Sequence, residues 1–153
     1  MIILEWDEEF LATALRVSTF QIPALFQDGR LLQPLVEARI LKEWPLTVRV
    51  ESPFGLLLRN REGKLHKVRS LGKGIAFTTS SHRGAGHSFR SESWLKFMRQ
   101  VDVFLVVDVQ TFPRVKVYEI PSNVVLALQT TSLMHEGRIT RSNFLSALAE
   151  FTL

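Results

Sequence analysis

Residues 46–70 read LTVRVESPFGLLLRNREGKLHKVRS and mark a change from helical to extended periodicity. Residues 46–50 alternate between apolar and polar side chains, and a second apolar run, Gly55–Arg59, follows a Ser-Pro corner. The polar residues 60–63 end in Gly63, which suits the positive φ of a tight turn, and residues 64–70 return as a partner strand. This stretch therefore predicts a meander of short strands that closes with a hairpin.

The residues before the meander have helical spacing. Asp7 is placed to cap a helix that runs to about residue 17, and Leu11, Ala14 and Leu15 form its predicted buried stripe. A second helix is predicted over about residues 32–44, because its apolar side chains recur every three or four positions. Helices thus precede the strands.

The residues after the meander predict further elements of both kinds. Residues 75–79 are expected to continue the sheet, and residues 80–88, which include two glycines, to form a surface loop. A helix at 91–99, strands at 101–109 and 115–120, and helices at 121–128 and 142–151 complete the pattern. The strand at 101–109 is almost entirely apolar, which is typical of a central strand covered on both faces. The predicted fold is a single α/β (α+β) domain over residues 1–153, with a central mixed β-sheet flanked by helices.

The composition limits the classes of function open to this chain. It has 153 residues and no cysteine, which excludes disulfides, thiolate metal sites and a cysteine nucleophile. Its four histidines, at positions 66, 82, 87 and 135, show no zinc-binding spacing. Its apolar runs are too short to span a bilayer, and its first residues are too acidic for a signal peptide. We therefore predict a soluble, cytoplasmic protein with no membrane partner.

The formal net charge of +4 hides an uneven distribution. Residues 1–28 carry one basic and five acidic side chains, a balance of −4, and residues 29–153 carry 18 basic and 10 acidic side chains, a balance of +8. The basic excess is greatest over residues 59–73, where six cations accompany one acid, Glu62. A surplus of this density attracts a phosphate backbone through counterion release, but it also occurs on hairpins whose cations only protect a sheet edge. The charge alone leaves both interpretations open.

One protein family has this order of elements. A helix that carries Glu37, followed by a strand, a corner, a second strand and a glycine hairpin, resembles the core of the PD-(D/E)xK, or restriction-endonuclease-like, nucleases. The segments VDVFLVV at 101–107 and VYEIP at 117–121 resemble the fourth strand and the Tyr-Ile-Pro ending of small restriction and homing-endonuclease relatives. The resemblance covers about residues 31–125 and implies a restriction-endonuclease-like fold.

The chemistry of that family needs two carboxylates that hold Mg²⁺ and a lysine that orients the attacking water. The resemblance puts the first carboxylate at Gly55, the second at Arg69 and the lysine at Leu71, so Glu37 is the only member of the set that is retained. Glycine cannot bind a metal, arginine repels one, and leucine cannot move a proton. The resemblance thus implies an inactivated nuclease domain with no metal cofactor.

We predict a nucleic-acid-binding protein, with double-stranded DNA as its partner and no nuclease activity. At the position of a metal-binding acid, Arg69 offers a guanidinium with bidentate geometry for phosphate, and the alternative is a strand residue paired with Glu51 or Glu37. The expected phosphate contacts are first Arg61, Lys64, Lys67, Arg69 and Lys73, and then Arg83 and Arg90.

Two other hypotheses remain open. In the first, the catalytic residues have migrated, and Glu37, Glu51 and Lys73 form an active Mg²⁺-dependent DNA endonuclease. In the second, the chain is a protein-interaction subunit whose basic hairpin meets an acidic partner or a second copy of the chain. The first predicts cleavage with a bound divalent ion, and the second predicts a stable protein complex without nucleic-acid binding.

Overall fold

A mixed β-sheet with an apolar core on each face forms the centre of the fold. The computed structural model describes residues 1–27, 29–43, 48–52, 55–79, 82 and 89–151, with the backbone alone at residues 48, 49 and 151. The strands of the described chain are β1 (Ile2–Glu5), β2 (Val48–Ser52), β3 (Gly55–Arg59), β4 (Leu65–Leu71), β5 (Gly74–Ala76), β6 (Val103–Asp108), β7 (Arg114–Pro121), β8 (Met134–His135) and β9 (Arg138–Thr140). Its α-helices are α1 (Glu8–Leu15), α2 (Ile22–Phe26), α3 (Gly29–Glu43), α4 (Ser91–Gln100), α5 (Ser122–Gln129) and α6 (Arg141–Phe151).

Six strands of the described residues form the main sheet, in the order β1-β7-β6-β4-β3-β2. β4 and β6 run parallel, with Lys67 opposite Phe104, and the other neighbouring strands are antiparallel. A parallel pair needs a crossover connection, and the segment that contains β5 and α4 supplies it. The predicted central strand is confirmed, because β6 lies third in the sheet and residues 104–108 are all buried.

Each face of the sheet has its own apolar core, because successive side chains of a strand point to opposite faces. On one face, Leu105 of β6 joins Val68 of β4 and Ile40 of α3. On the other face, Phe104 packs against Phe97 of α4, with ring centroids 6.0 Å apart. The alternation along β6 therefore links the N-terminal helices to one face and the later helices to the other.

The first helix begins as predicted but buries a different side. The N–H of Phe10 donates to Oδ1 of Asp7 at 3.1 Å, which confirms the predicted cap. Of the predicted buried stripe, Leu11 is partly buried against the core, but Ala14 and Leu15 are exposed, and the fully buried residue of α1 is Ala12. Apolar side chains occur on every side of this short helix, so their spacing does not single out the face that packs.

The prediction that residues 75–79 continue the main sheet is wrong. Among the described residues, β5 pairs with β9 in a separate three-stranded sheet of order β5-β9-β8. The β8–β9 hairpin turns at Gly137, which has a φ of +74° and where a Cβ would stand 2.7 Å from Cγ2 of Thr78. Strands of two or three residues are too short to show a period, which is why the sequence pattern does not reveal them.

The later helices confirm the predicted elements, with α4, α5 and α6 within one or two residues of the expected bounds. The described residues thus form an α+β fold with a mixed sheet flanked by helices. Within this part of the chain, none of the helices combines the length and the apolar character needed to cross a bilayer.

Candidate nucleic-acid interface

The hairpin between β3 and β4 has the turn that the sequence predicts. The N–H of Gly63 donates to the carbonyl of Asn60 at 3.1 Å, the N–H of Lys64 donates to Oδ1 of Asn60 at 2.9 Å, and Gly63 has a φ of +80°. Arg61 and Lys64 are exposed at the tip, where Nζ of Lys64 lies 3.8 Å from the carboxylate of Glu62. An exposed ion pair of this kind contributes little to the stability of the fold. The cations at the tip of the hairpin therefore stay hydrated.

β3 and β4 separate soon after the hairpin. Within the described chain their pairing joins Leu58 to His66 and Arg59 to Leu65, whereas β4 stays paired with β6 along its length. The helix α3 packs on the Val68 face of β4, so Lys67 and Arg69 start from the opposite face of the sheet. We call the gap where β3 and β4 separate, together with the adjoining stripe of α3, the cleft, and its polar residues are Gln33, Glu37, Gly55, Lys67 and Arg69.

Lys67 is buried inside the cleft. Its side chain reaches from β4 to β3, where Nζ donates to the carbonyl of Leu56 at 3.1 Å. Nζ also lies 3.0 Å from the place of a Cβ on residue 55, and Gly55 has a φ of +91°, which L side chains rarely adopt. Burial lowers the pKa of Lys67, the charge of Arg69 lowers it further, and the carboxylate of Glu37 raises it. This lysine therefore places positive charge inside the cleft and not on the hairpin surface.

Arg69 follows two residues later on the same face of β4, while Val68 between the two cations is buried in the opposite core. The Nε–H of Arg69 donates to the carbonyl of Ala76 at 2.8 Å, which fixes the plane of the guanidinium. Burial lowers the pKa of Arg69, and the carboxylate of Glu37 raises it. Two neighbouring cations thus act on one carboxylate, which gives this part of the cleft an excess of positive charge.

The position at which the resemblance puts the lysine lies in the apolar core. The resemblance puts the second carboxylate at Arg69 and the lysine at Leu71, but Leu71 is fully buried in the apolar core that contains Phe104. The β4 residues that interact electrostatically with Glu37 are Lys67 and Arg69, which have the same spacing of two. Both of the β4 side chains on which Glu37 acts are therefore cationic.

α3 contributes a polar stripe to the cleft. Glu37, the acid that the sequence singles out, accepts a hydrogen bond from Nε2 of Gln33 at 3.1 Å. Oε1 of Gln33 accepts one from the hydroxyl of Ser70 on β4, also at 3.1 Å. Arg30 lies on the same side of the helix, because positions three and four apart share a helix face. Sequence reasoning missed Arg30, although its spacing from Gln33 and Glu37 could have indicated it.

The cleft residues do not fit the Mg²⁺ ion that the resemblance would imply for an active nuclease. Mg²⁺ prefers oxygen ligands, with one or two carboxylates among them. Glu37 supplies a carboxylate, but its charge acts on Lys67 and Arg69, whose cations repel a metal. The described parts of the chain contain no group of three His, Asp or Glu side chains that could hold a metal ion.

The other predicted site residues lie on several parts of the chain. Glu51 is exposed on β2, in register with Leu56 of β3. Lys73 is exposed in the turn between β4 and β5, and Arg90 is exposed immediately before α4. Arg83 lies outside the described residues. The fold therefore brings the β4 cations together with α3 and leaves Lys73 and Arg90 on other elements.

Comparison with known proteins adds no relative. No protein-family model matches this chain, and neither the curated proteins nor the solved structures include a match. The function must therefore be inferred from the geometry of the hairpin and the cleft.

Proposed function

We propose that the chain is a restriction-endonuclease-like domain that binds nucleic acid, with duplex DNA as its partner, and does not cut it. One observation carries the proposal: the ammonium of Lys67 occupies the space beside Gly55 where a nuclease would need a carboxylate and its metal. The order of elements supports the relationship to the family, because α3 is followed by β2, β3, the glycine hairpin and β4.

The hairpin and the cleft have different parts in this binding. Arg61 and Lys64 are exposed, so they can reach phosphate oxygens and release counterions. Lys67 and Arg69 lie deeper and add to the positive potential that attracts a polyanion. Lys73, in the turn after β4, extends the cationic surface beyond the cleft.

Fluorescence anisotropy with a labelled duplex at several salt concentrations tests the binding. Lys64→Ala should weaken binding to all duplex sequences to a similar extent and reduce the slope of log K against log salt by about one unit, because one phosphate contact is lost. Lys116→Ala on β7, two strands from β4, is the matched control and should change neither quantity. A duplex affinity that is no greater than that for an unrelated polyanion, and that survives high salt, contradicts the proposal.

Incubation with supercoiled plasmid tests the absence of cleavage. The wild-type chain should leave the plasmid intact in Mg²⁺ or Mn²⁺, because cations stand where the metal-binding carboxylates would be needed. Nicking that Glu37→Ala abolishes would support the hypothesis of an active nuclease with Glu37, Glu51 and Lys73 instead.

A specific observation favours a second candidate function, protein interaction. Phe10 on α1 and Phe20 in the 3₁₀ turn before α2 are 70% and 80% exposed, within the acidic N-terminal segment. Large exposed apolar side chains in one region are typical of protein-binding surfaces. If the chain binds no duplex near physiological salt but forms a stable complex with another protein or a second copy, this candidate replaces DNA binding.

A further inference from the structure

A cavity of about 470 Å³ lies beside the cleft, between the first turn of α3 and β4. Gly29 keeps the helix and the strand close together here, because a Cβ at this position would stand 2.6 Å from Cβ of Ser70. Its described lining includes two arginines and no acidic residue, and Arg30 is exposed at its rim: Gly29, Arg30, Gln33, Pro34, Arg69 and Ser70. The cavity is therefore a positively charged recess at the contact between α3 and β4.

Hydrogen bonds order the polar groups of this cavity. The hydroxyl of Ser70 bonds to Oε1 of Gln33, and Nε2 of Gln33 donates to Glu37 one turn further along α3. This chain of hydrogen bonds holds the Glu37 carboxylate against Gln33, outside the lining of the cavity. Arg69 is held by its own hydrogen bond to the backbone of β5. Ser70, Gln33 and Arg69 are thus ordered before a ligand arrives, which lowers the entropic cost of binding.

We propose that this cavity binds one phosphate group between the guanidinium groups of Arg30 and Arg69. A planar guanidinium can donate two parallel hydrogen bonds to one phosphate, and two guanidinium groups complement its several oxygens. The volume lies in the range of small-ligand sites. The site rests on the proposed function for its ligand, since a nucleic acid supplies the phosphate either as a strand terminus or as an internal phosphodiester.

Isothermal titration calorimetry of the full chain with inorganic phosphate tests the cavity directly, with chloride at the same ionic strength as the reference. Wild type should bind phosphate, and Arg30→Gln should weaken this binding about tenfold or more, because a charged hydrogen-bond donor is lost. Arg99→Gln, at an exposed arginine on α4 that lies outside both the hairpin and the cavity, is the matched control and should bind phosphate as wild type does. Equal phosphate affinity in wild type and Arg30→Gln, or no binding by wild type beyond the chloride reference, overturns the proposal.

Labelled duplexes distinguish the two sources of the phosphate. For a strand terminus, a 5′-phosphorylated duplex should bind more tightly than a 5′-hydroxyl duplex, and Arg30→Gln should remove the difference. For an internal phosphodiester, Arg30→Gln should weaken both duplexes equally.

The same measurements separate this site from the proposed function. Phosphate binding that depends on Arg30, without duplex binding, supports the cavity and overturns the DNA function. Duplex binding that Lys64→Ala weakens, with no binding of inorganic phosphate by wild type beyond the chloride reference, supports the DNA function and overturns the cavity.

Discussion

The tip and the base of the β3–β4 hairpin contain the same kind of residue in different surroundings. At the tip, Arg61 and Lys64 are exposed and stay hydrated. At the base, Lys67 is 7% exposed and Arg69 is half-buried, and burial lowers the pKa of both. Removing a charge from water costs free energy that only well-placed partners offset. One basic stretch of sequence is therefore two features of the structure, a solvated surface and a pair of cations built into the fold.

Arg69→Ala, at the base of the hairpin, should have the largest effect on the free energy of unfolding. The substitution removes the donor to the carbonyl of Ala76 and one of the two cations that act on Glu37. We expect the free energy of unfolding to fall by about 2 to 3 kcal/mol, because partly buried groups lose their partners. Urea denaturation followed by circular dichroism measures the loss, and Arg69→Lys, which keeps the charge, should recover part of it. A loss below about 0.5 kcal/mol would contradict this prediction, because substitutions of exposed residues have effects of that size.

Alkaline pH should reveal the burial of Lys67. Its pKa in the folded chain lies below the ordinary 10.5 because of burial, so the folded state loses this proton at a lower pH than the unfolded state. The free energy of unfolding should therefore rise as the pH increases from the lowered pKa towards 10.5, and this contribution is lost as the pH falls through the lowered pKa. Lys67→Met should remove the rise. Urea midpoints measured from neutral pH to 10.5 test this, and identical pH profiles for the two proteins would contradict it.

Arg61→Ala should have the smallest effect on stability and still weaken DNA binding. Its side chain is exposed at the tip, so the free energy of unfolding should change by no more than about 0.5 kcal/mol. Duplex affinity should fall, and the salt slope should decrease by about one unit, because a phosphate contact is lost. Denaturation and anisotropy on the same preparation measure both quantities. If Arg61→Ala lowers the free energy of unfolding but keeps the affinity for duplex DNA, the tip contributes to stability and not to binding, which contradicts the prediction.

The longer elements of the fold could be predicted from their sequence patterns. β6 is recognisable as a continuous apolar run, and α3 and α4 repeat their buried residues at helical spacing. The second sheet could not be predicted, because β8 and β9 have two and three residues. The buried side of α1 could not be predicted either, since its apolar residues surround the helix.

The candidate site could be predicted only where local pattern determines it. Glu37 and the exposed hairpin cations follow from the helix spacing and from the glycine turn. The burial of Lys67 depends on the separation of β3 from β4 and on the contact of its ammonium with the backbone of β3, which joins residues 11 positions apart in the sequence. Local spacing contains no information about such contacts, so the cations of the tip and the base look alike in the sequence.

The backbone at Gly55 limits how the chain could evolve under the proposed relationship to nucleases. An aspartate there would need a φ of +91° and would set its Cβ 3.0 Å from the ammonium of Lys67. A variant with that change alone is strained before any metal can bind, and residues 67 and 69 would also have to lose their cations. Under the proposed relationship, recovery of a metal site therefore requires changes on both strands, with a carboxylate added on β3 and two cations removed from β4.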